Sequence, residues 1–243
     1  MSFDKHLFRA SAIGKIISKS GKLTDGIKTH LEEVFIGQLY DVQKEIGSKY
    51  FDKGIACEQD GLDLLSKTLF KGLFVGKNKN QFSNGYAIGT PDTIVKDNVF
   101  DIKNAYDVFT FGKASLTWDY EWQVRTYMWL TGKKNGFIFY CLNDMPDFLL
   151  VGEEKKLFYS GGFMSIESES YQNACAELRK KYLYDYMKPE ERFKLFEVEY
   201  SKEHQDMIIE SVMGARKYLN QLSEQHSERI KGNLSIIKNG LVA

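Results

Sequence analysis

The segment 135–142, NGFIFYCL, constrains this chain more than any other. It is apolar at nearly every position and rich in residues that favour strands. A strand with one wet face alternates polar and apolar residues, so a run without alternation must be covered on both faces. The segment therefore reads as a buried central strand with a layer above and a layer below. Directly before it, Trp118 to Leu130 has strong amphipathic helical spacing and ends at Thr131-Gly132, a helix stop. The chain has 243 residues, of which 43% are hydrophobic and 14% aromatic, enough to fill such a core and to exclude wholesale disorder.

The remaining pattern extends this layering. Helical spacing covers Leu31 to Tyr50 and Gly54 to Leu73. A hairpin-like stretch, YAIGTPDTIVKDNVFDIKN, runs from Tyr86 to Asn104. Phe148 to Val151 is a further short strand candidate. Ser165 to Met187 is helical up to the break at Pro189. Phe193 to Tyr200 alternates like an edge strand, Ser201 to Gln225 is a charged amphipathic helix, and the last residues are expected to fray. Strands interspersed with helices predict an α/β fold with a mixed central β-sheet flanked by helices. We expect one domain over residues 1–243 with its core at about 8–222, and find no internal repeat or low-complexity tract.

Charge and cysteine usage narrow the function classes. Lys+Arg and Asp+Glu are 33 each, a formal net charge of zero, which leaves room for a local patch that binds a polyanion. Leu64 to Pro91 holds no acidic residue but carries Lys67, Lys71, Lys77 and Lys79, either a phosphate track or a solvated face. Cys57, Cys141 and Cys175 are too few and too scattered for a disulfide framework or a four-cysteine metal set. No apolar leader opens the chain, and no stretch of about 18 apolar residues occurs. The expectation is a soluble protein of a reducing compartment with no membrane partner.

The residues that carry chemistry are Asp92, Asp101 and Lys103. If Asp97-Asn98 forms a two-residue turn, Lys96 pairs with Val99, Ile94 with Asp101 and Asp92 with Lys103. Side chains alternate faces along a strand, so this register puts all three on one face. A three-residue turn would send Asp92 to the other face. Two carboxylates beside a lysine suit a hard divalent cation, which can activate water and stabilise in-line displacement at phosphorus. The lysine can orient the water and offset the developing charge. The Ile102 carbonyl is a further candidate oxygen ligand, and Glu58 on the preceding helix could complete a second metal site. D-x-K by itself is common near turns and has little specificity.

The order of the motifs is more specific. Lys53-Gly54 and Glu58 come first, then Pro91-Asp92, then Asp101-Ile102-Lys103, then Gln123-Val124-Arg125-Thr126-Tyr127 on a helix. This series resembles the PD-(D/E)XK nuclease superfamily, in its RecB-like branch with Q-x-x-x-Y. The opening Arg9-Ala10-Ser11-Ala12-Ile13-Gly14 resembles the R-x-S-x-x-G segment of phage recombination exonucleases of the YqaJ and lambda type. The resemblance covers residues 8 to 222. Aspartate at 101, where many members of the branch carry glutamate, is a departure.

The resemblance implies a restriction-endonuclease-like core and a catalytic set of Glu58, Asp92, Asp101, Lys103 and Gln123. Glu58, Asp92, Asp101 and the Ile102 carbonyl would hold Mg²⁺, with Mn²⁺ as a substitute and two ions per site, and no iron–sulfur cluster. Arg9, Ser11, Gln123 and Tyr127 would contact DNA. The implied activity is exonucleolytic hydrolysis of linear duplex DNA, 5′ to 3′, in phage-type homologous recombination. The implied partners are DNA ends, a single-strand annealing protein and further copies of the chain in a ring, in the cytoplasm of a bacterial host. The alternatives are a single-strand or structure-specific endonuclease and a non-catalytic DNA-end-binding module. Trp118, Trp122 and Trp129 either stack on bases or pack in the core, and for Trp118 and Trp122, one turn apart, the core is expected. Tyr106, Phe109, Phe111 and Lys113 either grip a DNA end or simply pack. None of the four histidines is expected to bind metal.

Overall fold

The computed structural model describes residues 1–42, 44 and 49–240. In chain order the elements are β1 (Phe8–Arg9), α1 (Ala10–Ile13), α2 (Asp25–Tyr40), α3 (Lys49–Ala56), α4 (Glu58–Leu69), β2 (Phe82–Ser83), β3 (Ala87–Gly89), β4 (Thr93–Val95) and β5 (Asn98–Asn104). There follow α5 (Val108–Gly112), α6 (Trp118–Thr131), β6 (Asn135–Cys141), α7 (Asp147–Ser160), α8 (Glu169–Lys180), a 3-10 turn at Pro189–Glu191, β7 (Phe193–Val198) and α9 (Lys202–Gly240). The main sheet has four strands in the order β4-β5-β6-β7. β5 and β6 are parallel, while β4 and β7 are antiparallel to their neighbours, so the sheet is mixed. A smaller sheet has the order β1-β3-β2.

The apolar run of β6 is explained by its two neighbouring layers. Ile138 and Tyr140 pack with Val124 and Met128 of α6. Phe139 and Cys141, on the opposite face, pack with Leu62 and Leu65 of α4. Two glycines allow these helices to come close. A Cβ on Gly136 would lie 2.4 Å from Val124 Cγ1, and one on Gly61 would lie 2.6 Å from Ile102 Cγ2. α6 starts at Thr117, whose side chain accepts from the Tyr120 amide, and ends at Gly132 with φ of 67°, a left-handed C-cap. Trp122 of α6 is 1% exposed and joins a further cluster with Ile13 of α1, Leu31 of α2 and Ile208 of α9.

Several predicted boundaries move. The strand expected at 148–151 is part of α7, because Pro146 and Asp147 at its start suit a helix N-terminus. The helix expected over 54–73 is two helices, α3 and α4, that meet at Cys57; left-handed Lys71 and Gly72 turn the chain after α4. The helix expected over 165–187 is confined to α8, capped by Ser168. The helix expected from Leu31 starts earlier, at Asp25, capped by Thr24; of its predicted span, residues 43 and 45–48 lie outside the described residues. α9 continues beyond Gln225 to Gly240. β7 lies at the sheet edge. Among the described residues no helix is long and apolar enough to cross a membrane.

The contact at Gly61 generates a stability prediction. Gly61→Ala forces its new methyl against buried Ile102, and overpacking of this kind costs about 1–3 kcal/mol. Gly214 in α9 has open space where its Cβ would be. Gly214→Ala should be neutral or stabilise by up to about 1 kcal/mol through helix propensity. Thermal melts of both variants beside wild type check the pair; equal melting temperatures would contradict it.

Candidate active site

The hairpin turn is at Lys96-Asp97, one residue before the expected place. The register pairs Val95 with Asn98, Ile94 with Val99 and Thr93 with Phe100. Lys96 takes the left-handed conformation, with φ of 54°. The cause lies in the neighbouring strand. Asn135 donates its side-chain amide to Asn98 Oδ1 at 2.8 Å and its main-chain amide to the Asp97 carbonyl at 3.2 Å. Asn98 is thereby drawn into the ladder with β6 as the first residue of β5. Both turns have two residues, so each partner shifts by two positions and no side chain changes face. Continued past β4, the register sets Asp92 opposite Asp101 rather than Lys103.

Asp92 also substitutes for the strand that β4 no longer provides. Its Oδ2 accepts the Ile102 amide at 2.6 Å, satisfying a donor of β5. Asp101 and Lys103 point from β5 toward α6, where Gln123 meets both. Gln123 Nε2 donates to Asp101 Oδ1 and to the Tyr127 hydroxyl, each at 3.0 Å, and Gln123 Oε1 accepts from Lys103 Nζ at 3.2 Å. The Lys103 ammonium lies 2.6 Å from Asp101 Oδ2 and 4.9 Å from the centre of the Tyr120 ring. Glu58 enters from the layer across the sheet, at the first residue of α4, and pairs with Lys77 at 2.6 Å.

These side chains line one open cavity of about 610 Å³, which includes Glu58, Asp92, Asp101, Ile102, Lys103, Gln123 and Tyr127. Arg9 and Ser11 are exposed on β1 and α1 and do not line it. Arg9 is near enough for its charge to act on Tyr127, and its neighbour Ala10 packs against that ring. Three further residues meet the site set without having been expected as its partners. Tyr120 lies three residues before Gln123, so helical spacing would have found it. Lys77 belongs to the basic stretch, but its pairing with Glu58 has no local signal. Lys53, part of the K-G-x-x-x-E segment, is fully buried and donates to the carbonyls of Tyr106 at 2.9 Å and Asn143 at 2.6 Å. It thereby ties α3, just before Glu58, to the C-terminal ends of β5 and β6.

The electrostatics follow from burial. Loss of water, then the charge of Asp101, pushes the Asp92 carboxyl up to about 7. Burial is the largest single influence on the Lys103 ammonium and would lower it, but Asp101, Asp92 and Tyr120 together outweigh burial and the net shift is upward. Burial and the same carboxylate raise the Tyr127 hydroxyl. Asp101 is 2% exposed, and its Oδ2 makes no hydrogen bond of regular geometry despite its contact with the ammonium.

The fit of this set to a divalent cation can be tested on those observations. Among the described residues, no group of three or more His, Cys, Asp or Glu side chains forms a ready metal cage. A Mg²⁺ site does not need one; it uses one or two carboxylates and fills the rest with water and substrate oxygens. Two mutually repelling carboxylates, one with a buried oxygen whose sole close partner is the Lys103 ammonium, meet that requirement. Glu58 is close enough for its charge to act on Asp92, although its own carboxylate faces Lys77. The residues fit the cation.

The raised Asp92 carboxyl makes stability pH-dependent in a defined direction. Its folded value exceeds the ordinary 3.8, so ionisation is costlier folded than unfolded. Stability is lost as pH rises from about 4 to about 7 and stays lost above. Asp92→Asn should therefore raise the melting temperature at pH 8 by several degrees and change it little at pH 4. A variant less stable than wild type at pH 8 would contradict this.

No protein-family model matches this sequence, and no curated protein does. Solved structures do match. A phage-related exonuclease from Haemophilus somnus 129PT is 23% identical with a TM-score of 0.70, over 90% of this chain and 96% of that one. An alkaline exonuclease from Laribacter hongkongensis is 12% identical with a TM-score of 0.57, over 93% of this chain and 95% of that one. The same enzyme in complex with dAMP matches at 13% identity and a TM-score of 0.56, over 95% and 96% of the two chains. The mixed sheet, its flanking helices and this likeness together show that the chain has the fold of these exonuclease structures, a restriction-endonuclease-like mixed sheet flanked by helices.

Proposed function

We propose that this chain is a divalent-metal-dependent DNA exonuclease that hydrolyses linear duplex DNA from the 5′ end. The observation that carries the proposal is the convergence of Asp92, Asp101, Lys103 and Gln123 on one wall of an open cavity. The fold shared with exonucleases supports it. The chain acts as one nuclease domain, in which Asp92, Asp101 and the Ile102 carbonyl would hold Mg²⁺ or Mn²⁺ and Glu58 would serve a second ion. A divalent cation held by these residues would supply an activated water and offset charge at phosphorus.

The chain's own residues do the rest. The water oxygen bonds to phosphorus and gives up a proton to solvent, while the bond to the leaving sugar oxygen breaks and that oxygen takes a proton from solvent to become a hydroxyl. Lys103, held by Asp101 and Gln123, orients the water and offsets charge on the phosphoryl oxygens. Gln123 locks Lys103, Asp101 and Tyr127 into one hydrogen-bonded unit, so the lysine needs no rearrangement when substrate arrives. Arg9 and Ser11, outside the cavity, hold a DNA phosphate, which an arginine fork and a hydroxyl suit. The biological setting we infer is phage-type recombination in the cytoplasm of a bacterial host, by a phage or prophage enzyme. A ring of copies would hold the duplex, and an annealing protein would take up the exposed strand.

The test uses linear duplex labelled on each strand, beside a closed circle, with Mg²⁺ or EDTA. We expect digestion of the linear DNA with early loss of the 5′ labels, an intact circle and no reaction in EDTA. Asp101→Ala should reduce the rate by roughly 100-fold or more. Cleavage of the circle would instead indicate an endonuclease. Binding to ends without cleavage by wild type would indicate an end-binding module.

A further inference from the structure

A second groove, of about 380 Å³, adjoins the cavity just described and shares Thr110, Tyr120 and Tyr140 with it. Its outer part is formed by Phe109 and Lys113. Phe109 is 72% exposed, yet it is not on a slack loop. It projects from α5, whose next aromatic, Phe111, is buried against the core. Asp107 Oδ1 accepts from both the amide and the hydroxyl of Thr110, each at 2.7 Å, and so fixes the start of α5. Lys194 of β7 fixes its end, donating to the carbonyls of Gly112 at 2.9 Å and Ala114 at 3.4 Å. An anchored turn therefore holds an aromatic face in water at the rim of the groove.

The charges there suit a polyanion. Asp107, the acidic residue of the lining, has one carboxylate oxygen committed to Thr110. Lys113 is exposed, and among the described residues no carboxylate pairs with it. An aromatic face for stacking beside a cation for phosphate is the pairing that single-stranded nucleic acid uses. A protein partner would call for a wider exposed apolar patch than this lining offers, where Phe109 is the one large apolar side chain that stands mostly in water.

We propose that this groove binds the single-stranded nucleotides adjoining the scissile phosphate, with Phe109 stacked on a base and Lys113 on a phosphate. The proposal rests on the nuclease reading of the neighbouring cavity and adds to it a subsite for the strand beyond the reacting nucleotide. A mononucleotide would occupy the cavity alone, whereas an oligonucleotide would span both.

The test is direct binding, separate from cleavage. Fluorescein-labelled (dT)8 is titrated by anisotropy in EDTA, and thymidine 5′-monophosphate competes against it, for wild type, Phe109→Ala, Phe109→Trp and Lys113→Gln. Melting curves confirm that each variant is folded. Phe109→Ala should weaken (dT)8 binding by about 5- to 150-fold, the range of one lost base–aromatic stack, and Phe109→Trp should restore it. Lys113→Gln should reduce the salt-dependence slope by about 0.7, the share of one phosphate contact on a single strand. Mononucleotide affinity should stay within about twofold, since its site does not include either residue. Absence of (dT)8 binding by wild type overturns the proposal. So do variants that bind (dT)8 like wild type, or that lose mononucleotide binding in equal measure. If variants lose (dT)8 while wild type cleaves no DNA with any divalent cation, the groove stands as a binding site and the nuclease reading fails. If wild type digests linear DNA and the variants bind normally, the nuclease reading stands and the groove assignment fails.

Discussion

Two carboxylates face each other in a largely desolvated pocket, with one ammonium to offset them. Burial and the nearby charge of Asp101 both raise the cost of ionising Asp92. Lys103 compensates one charge, and the Ile102 amide and the Gln123 side chain supply donors, but one carboxylate oxygen of Asp101 keeps no regular hydrogen bond. A pocket optimised for stability would not contain this arrangement. The fold accommodates it because each side chain is fixed from a different element: the hairpin brings Asp92, β5 brings Asp101 and Lys103, and α6 brings Gln123.

The rest of the molecule holds those elements at the required separations. β6 is apolar on both faces because α6 covers one and α4 the other. α4 comes close because Gly61 has no side chain against Ile102, and α6 because Gly136 has none against Val124 and Met128. Buried Lys53 bonds to main-chain carbonyls beyond β5 and β6. In the same way α5 is fixed at both ends, which leaves Phe109 in a defined position beside the cavity.

Much of this was legible in the sequence. The buried strand, the helix ahead of it with its glycine stop, the edge strand at 193–198 and the position of the acidic residues on one face all follow from local periodicity and turn chemistry. The turn itself was misplaced by a residue, since Asn98 is as good a turn residue as a strand residue until Asn135 binds it. The side-chain faces survived because moving a two-residue turn by one position changes each partner by two. The segment at 148–151 was mistaken for a strand because four apolar residues have too short a period to distinguish a strand from a first helical turn. Its start signal, Pro146-Asp147, was the better guide.

The sequence alone determined the layered α/β class, the two acidic residues and lysine of the hairpin, and the helix that carries Gln123 and Tyr127, because these depend on spacings of a few residues. Only the tertiary structure decided what those groups meet. It set Asp92 opposite Asp101, turned Glu58 toward Lys77, tied α3 to the strand ends through a buried lysine, and opened a groove beside Phe109. Each of these joins residues that lie far apart in the chain or on different layers, where the outcome is decided by packing and desolvation and leaves no periodic trace in the sequence.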